Sequence, residues 1–247
     1  MQSNLNDRAT FLEESFLLSS TADLSQKRLW QDALQRHLRA FEKGAHFVHE
    51  GENWSFVVCV LDGWLTLSKS LDTGQVQILD FAMHNDIVEP TAGDGRTAIF
   101  NVQAQTDGVA AVIPLPVWSA LLHDLPPLAQ LVYATEAAVR SRRAERTLRL
   151  GKGSAEMRVA HALVEFCIRL GDRCGEVFHV PLTQQALGDF LGLSSVHVCR
   201  TTRRLSRAGI LELTDHMDIR VLEPHKLADL AGLDPQMFRR EIMPGAK

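Results

Sequence analysis

Apolar residues recur at spacings of three and four over residues 5–20 (Leu5, Phe11, Leu12, Phe16, Leu17) and 23–42 (Leu24, Leu29, Trp30, Leu34, Leu38, Phe41), which predicts two amphipathic helices. From Gly44 the period shortens. His46-Phe47-Val48-His49, Trp54 to Leu61, Trp64 to Ser68 and Val76 to Phe81 are short runs divided by Glu50-Gly51-Glu52-Asn53, Asp62-Gly63 and Asp72-Thr73-Gly74. Such regular turn signals predict an antiparallel β-sandwich or barrel, with further strands at Ala98 to Gln105 and Val109 to Pro114. Pro126-Pro127 then opens a helix running from Leu128 to about Leu150. Its Leu128, Leu131, Val132, Thr135, Ala138, Val139 and Arg142 fall on one stripe, the spacing of a helix that packs along a partner. Gly151-Lys152-Gly153 breaks it, and Ser154 caps a helix that turns Val159, Ala160, Leu163, Phe166 and Cys167 inward and closes at Gly171.

The stretch from Pro181 to Ile210 has the pattern of a helix-turn-helix. Thr183 caps a first helix with Ala186, Leu187 and Phe190 at helical spacing, and Gly192 stands where the chain can leave it with positive φ. Leu193 plugs the core. Ser194 caps a second helix that carries Val198 and Leu205 inward and leaves Ser195, Val196, Cys199, Arg200, Arg203 and Arg204 outward. Ile210 to Leu222 alternates about a polar turn at Asp215 to Asp218, a β-hairpin that completes a winged helix. Pro224 to Pro235 reads as a short helix behind the wing.

Composition narrows the function. The second helix holds Arg200, Arg203, Arg204 and Arg207 and no acid, in a chain of net charge -4, and this local reversal suits a helix lying against phosphate. At 247 residues, 45% hydrophobic and 23% charged, the chain is globular and long enough for one large or two ordinary domains. The start lacks a basic and apolar leader, and no apolar run approaches the roughly 18 residues of a membrane helix, so a soluble, cytoplasmic protein without a membrane partner is expected. Cys59, Cys167, Cys174 and Cys199 are scattered, which suggests neither a zinc site nor a disulfide framework. His46 and His49, three apart on a strand, should point to opposite faces, so with His84 they are read as ordinary surface or half-buried histidines, with haem or metal ligation the alternative. No nucleophile elbow, phosphate loop or paired metal ligands occur, and no catalytic residue or cofactor is expected.

The signature Leu182-Thr183-Gln184-Gln185-x-Leu187-Gly188-x-x-Leu191-Gly192-Leu193-Ser194, then Val198-x-x-Thr201-x-x-x-Leu205 and Gly209-Ile210-Leu211, resembles the Crp/Fnr family of bacterial transcription regulators, in a branch whose recognition helix begins Val196-His197-Val198. The resemblance implies an α+β chain. It would comprise a cyclic-nucleotide-binding-like β-roll (jelly roll) with helical cover over residues 1–124, a dimerisation helix and hinge over 125–152, and a winged helix-turn-helix over 153–247. Leu61-Asp62-Gly63-Trp64 and Gly74 to Leu79 fit that β-roll. It further implies a homodimer on palindromic double-stranded DNA, joined through the stripe from Leu128 to Arg142, with RNA polymerase as a second partner. Ser195, Val196, Cys199 and Arg200 match base-reading positions, and Thr183 and Gln184 match contacts of the first helix; Ser194, His197, Arg203 and Arg204 complete the expected DNA-binding set. Better-known members carry Arg and Glu where this chain has Ser195 and Val196, so their operator does not carry over. Arg200 can read a guanine bidentately. The basic run Arg140, Arg142, Arg143, Arg146, Arg149 and Lys152 is either a solvated face or one that approaches DNA phosphate or a partner across the dimer.

The family's β-roll holds its effector with a Gly-Glu pair and a following Arg-Ser, which pair a cyclic phosphate and a ribose hydroxyl. Here Glu89, Arg96 and Thr97 stand in a shortened loop in which Val88 replaces the glycine and Pro90 removes an amide. These departures favour a structural loop, with any small-molecule effector left unknown. An iron-sulfur cluster is not expected, because no cysteine precedes Cys59. Two alternatives to a simple regulator stand beside it: a ligand- or redox-gated sensor, and a nucleotide-binding module acting on a protein partner. Cys199, on the outward face beside His197, Arg200 and Arg203, is the candidate redox residue, since cationic neighbours favour the thiolate.

Overall fold

The computed structural model describes residues 22–89, 95–171, 177–213 and 218–244. The helix expected over residues 5–20 therefore lies outside the described residues. The chain divides into two compact units, one of residues 1–69 and 80–135, the other of 70–79 and 136–247.

The first unit begins with α1 (Leu24–Arg36), whose Asp23 cap and Gln26 form a reciprocal capping box. The expected helix over residues 23–42 stops there. Leu38 and Phe41 continue its three- and four-residue spacing, yet Leu38–Phe41 is strand β1, because Leu38 to Phe41 pair antiparallel with Ala111 to Gly108 of β8. After it in the chain come β2 (His46–Val48), β3 (Phe56–Asp62), β4 (Leu65–Ser70), β5 (Val76–Ala82), β6 (Ile87–Val88), β7 (Asn101–Ala104) and β8 (Gly108–Pro114), with Ser70 and Val76 to Leu79 counted in the second unit. They form two four-stranded sheets, ordered β1-β8-β3-β6 and β2-β7-β4-β5, so the expected sandwich is present. The β3–β4 turn needs Gly63, which has φ +83° and whose Cβ would sit 2.6 Å from the Asp107 carbonyl oxygen.

One face of the first sheet is dry. Val57, Cys59, Leu61, Val109, Ala111 and Ile113 pack under Trp30 and Leu34 of α1, Trp118 and Leu121 of α2 (Leu115–Asp124), and Leu128 of α3 (Pro126–Lys152). Helix α2 was not anticipated, although Pro116 near its start and the Trp118 to Leu121 spacing signal it. His46 and His49 do not diverge as expected. A register irregularity between His46 and Val48 bends β2, and the two rings stack with centroids 4.3 Å apart.

The second unit holds α4 (Ala155–Arg169), β9 (Val177–His179), α5 (Gln184–Leu191), α6 (Ser195–Arg207), β10 (Leu211–Leu213), β11 (Asp218–Val221), α7 (Pro224–Ala231) and α8 (Pro235–Ile242). Strands β10, β11 and β9 form the wing sheet; β9 was unforeseen. The tail carries two helices rather than one, because Asp234 caps a new start at Pro235 by accepting from the amides of Gln236 and Met237. Cys167, buried in α4, is disulfide-bonded, although the scattered cysteines suggest no disulfide framework. Its partner lies outside the described residues, and linear spacing does not reveal which turn brings two thiols together.

Four residues of the α3 stripe and three arginines of its basic run are placed differently from their expected roles, while Arg140 and Lys152 are exposed. Leu128, Thr135, Ala138 and Arg142 are all buried inside the chain itself, while Leu131, Val132 and Val139 are half-buried. Arg142 donates to the Ile242 carbonyl at 3.3 Å, and Arg149 to the carbonyls of Ala231 (3.0 Å) and Gly232 (3.3 Å) and to Glu145 (2.5 Å). Arg146 pairs with buried Glu165 through both oxygens (3.0 and 3.2 Å), bonds the Leu79 carbonyl and lies 4.2 Å over the Phe190 ring. These three cations are internal ties, and neither a solvated face nor a face reaching toward DNA.

Candidate nucleic-acid interface

Helix α5 starts as its sequence dictates. The Thr183 hydroxyl accepts from the Ala186 amide at 3.0 Å, and Leu187, Phe190 and Leu191 are buried. Gly192 closes the helix at φ +62°. Gly188 is needed for a second reason: a Cβ there would stand 2.5 Å from the Leu193 carbonyl oxygen, so only glycine lets the turn approach so closely. Arg158 of α4 fixes the turn from below, donating to the carbonyls of Leu150 (2.8 Å) and Leu191 (3.3 Å). Its role was not read from the sequence, where it is one more arginine on an amphipathic helix.

Ser194 caps α6 by accepting from the His197 amide at 3.2 Å. Val198, Thr201, Thr202 and Leu205 are buried, and Thr202 turns its hydroxyl onto the Val198 and Cys199 carbonyls. Everything on the opposite side is available. Val196 is 65% exposed; His197, Arg200, Arg203, Arg204 and Arg207 are exposed; Ser195 and Cys199 are intermediate.

A groove of about 440 Å³ runs along this side, lined by Gln184 of α5 and by Ser195, Val196, Cys199, Arg200, Arg203 and Arg207 of α6. It gathers the four expected base-reading residues with Gln184 and Arg203, and adds Arg207. Among the described residues, none of Arg200, Arg203 and Arg207 is paired with an acid. Three unneutralised guanidiniums on one helix face, beside an apolar Val196, make a surface that attracts phosphate and can read base edges. Arg204 stands apart: it does not line the groove and is bridged to Glu156 at the start of α4, 3.0 Å away. Thr183 and Ser194 serve as caps, and Cys199 is a free thiol.

The candidate effector residues lie elsewhere. Glu89 is exposed after β6, Thr97 forms an isolated bridge with Asn53, and the Arg96 carbonyl accepts from the Trp54 amide at 2.6 Å. Val88 is buried and paired with Val58, so the position of the family's glycine belongs here to a strand. Among the described residues no cluster of three or more His, Cys, Asp or Glu could hold a metal, and no helix is long and apolar enough to cross a membrane.

Comparison with known proteins agrees with this anatomy. Residues 38–124 match the cyclic nucleotide-binding domain model, and residues 157–230 match the Crp-like helix-turn-helix domain model. The chain is 24% identical over 206 residues to the transcriptional activator protein FnrL of Cereibacter sphaeroides, covering 81% of this chain and 82% of that one. It is 28% identical over 206 residues to the transcriptional activator protein FnrA of Stutzerimonas stutzeri, covering 81% and 83%. The structure of FixK2 from Bradyrhizobium japonicum superposes with a TM-score of 0.72 at 23% identity, over 80% of this chain and 98% of that one. With both domain models in order and an exposed recognition helix of the right build, the chain belongs to the Crp/Fnr family of DNA-binding transcription regulators.

Proposed function

We propose that the protein binds a palindromic operator as a homodimer, with α6 in the major groove. Ser195, Val196, Cys199 and Arg200 read bases, while Arg203, Arg207, Gln184 and Thr183 hold phosphate. The groove lined by three unpaired arginines carries this reading. Val196 presents an apolar contact for a thymine methyl, and Arg200 a fork for guanine. Selection of bound sequences from a random DNA pool tests it. Arg200→Ala is expected to cost about 1–3 kcal/mol on the selected site and to flatten preference at one base pair. Arg204→Ala should cost less than about 1 kcal/mol on every sequence alike, because its exposed pairing with Glu156 holds it aside from the reading face. Equal, sequence-independent losses for the two variants would refute the assignment.

For the dimer, the face of α3 left open is the one opposite the buried stripe: Gln130, Tyr133, Arg140, Ala144 and Thr147, spaced by three, four or seven and joined by Leu148. Tyr133 is 69% exposed. Half-buried Leu131, Val132 and Val139 can flank this seam, whereas Leu128, Thr135, Ala138 and Arg142 already face their own chain. To meet a palindromic site, a symmetric dimer needs its two recognition helices about one DNA turn apart, roughly 34 Å. Tyr133→Asp is expected to shift the protein to monomer in sedimentation at micromolar concentration and to weaken operator binding more than tenfold. A wild type that sediments as a monomer yet binds tightly would reject the dimer.

Cys199 gives the regulator a route to redox control. A sulfinate or mixed disulfide in the groove would set charge or bulk against phosphate. Peroxide should weaken operator binding by the wild type and leave Cys199→Ser unchanged; equal losses remove the thiol from the account. Neither a cyclic nucleotide nor a metal is part of this reading, and RNA polymerase is the protein partner through which a bound dimer would act.

A further inference from the structure

The β-roll unit has a recess of its own, lined by none of the DNA-groove residues and by none of Glu89, Arg96 and Thr97. It is a groove of about 740 Å³ at the open end of the roll, lined by Arg39, Ala40, Phe41 and Glu42 of the β1 segment, Ala45 to Phe47 around β2, Ser55 and Phe56 at the start of β3, and Val112 and Pro114 at the end of β8. Strand register explains its chemistry. Phe56 pairs with Pro114, Val58 with Val112, Val60 with Ala110, and Ala110 in turn with Arg39, so all of these share one face of the sheet. The opposite face is the one sealed by α1, α2 and α3. Exposed Arg39 and buried Phe41 therefore lie on the same side of the sheet as Phe56, Val112 and Pro114, and Phe41 meets Phe47 edge-on at 5.5 Å.

Arg39 is a cation placed in a row of apolar residues on an edge strand, and among the described residues it has no ion-pair partner. Barrel mouths with apolar walls and one or two fixed polar groups are preferred sites for small ligands, and the volume suits a ligand of drug size. Glu42 at the rim disfavours a second negative charge. We propose that this mouth binds a small apolar monocarboxylic acid, its hydrocarbon body against Phe41, Phe47 and Phe56 and its carboxylate on the Arg39 guanidinium. A charge-assisted, bidentate contact would supply the orientation and the aromatic walls the burial. This site is separate from Glu89, Arg96 and Thr97 and does not depend on the DNA-binding reading.

The competing explanation is that Arg39 merely protects an edge strand from pairing with other chains, a common use of a charge on such a strand. Calorimetric titration of the full-length protein with 2-naphthoate separates the two. Saturable binding with a dissociation constant on the order of 1 mM or tighter is expected from the ligand's size. Arg39→Met, which keeps the stem and removes the charge, should weaken it about tenfold or more, and uncharged 2-naphthamide should bind wild type and variant equally weakly. Operator affinity of Arg39→Met should match wild type, which keeps this result distinct from any failure of the DNA assignment. Absence of saturable binding, equal affinity in the variant, or equal affinity for acid and amide overturns the proposal.

Discussion

Glu165→Ala is expected to destabilise the second unit by about 3–5 kcal/mol, the range for removing one partner of a buried ionic group. Glu165 is fully buried on α4 and accepts from Arg146 and, at 3.1 Å, from Arg169. Its loss would leave two guanidiniums close together in an apolar interior with their shared counter-charge gone. The effect should spread, because Arg146 also lies over Phe190 of α5, and α5 supports the recognition helix. Glu165→Gln keeps the shape and one acceptor but not the charge, so it should recover only a minor part of the loss. Urea unfolding followed by circular dichroism at pH 7.5 reads both variants. A change below about 1 kcal/mol for Glu165→Ala would mean that the arginines reach water or other acceptors when the carboxylate is removed, and that the cluster is not the tie described above.

The helix-turn-helix was legible because its determinants are local. Thr183, Gly192 and Ser194 act on backbone groups within a few residues of themselves, and no distant part of the chain is needed to decide what they do. Strand β1 was not legible for the opposite reason. Leu38 and Phe41 fit a helix locally, and only pairing with β8, some seventy residues on, makes them a strand. The α3 stripe shows a third case, in which periodicity identifies a buried face without saying what buries it. Leu128, Thr135 and Ala138 are buried as the pattern demands, but by their own chain. A signal to that effect is present in the sequence: Arg142, Arg146 and Arg149 continue the same three- and four-residue spacing beyond Ala138. Taken as a charge run they suggest solvent or DNA; taken as the continuation of a buried stripe they require internal carbonyls and carboxylates, which is where they go. Helical phase alone turns Arg204 outward with the groove residues, but the acid that draws it aside, Glu156, comes from another helix, and no local pattern announces that.

The same interior fixes a pH dependence. His161 is buried on α4 with its ring against Phe238 at 5.0 Å, and Nε2 has no hydrogen-bond partner among the described residues. Burial pushes its pKa down to about 4, with Arg149 and Arg146 adding to the fall and Glu165 and Glu145 opposing it. The folded protein therefore keeps the ring neutral where the unfolded chain, with its ordinary value near 6.5, has begun to bind a proton. Stability contributed by this group is complete above pH 6.5 and is lost as pH falls toward 4, below which both states carry the proton. By pH 5 the loss should be about 2 kcal/mol, approaching about 3 kcal/mol at the lower end, since each tenfold difference in proton affinity between folded and unfolded chain is worth about 1.4 kcal/mol. His161→Phe removes the titrating group and keeps a ring for Phe238. Wild type should lose about 2 kcal/mol more than the variant between pH 7.5 and pH 5 in urea unfolding, a comparison in which the carboxylates titrate alike in both proteins. Parallel losses in the two would show that water or a movement of α8 solvates the imidazolium at little cost, and would place the acid sensitivity of the unit on Glu165 and its arginines instead.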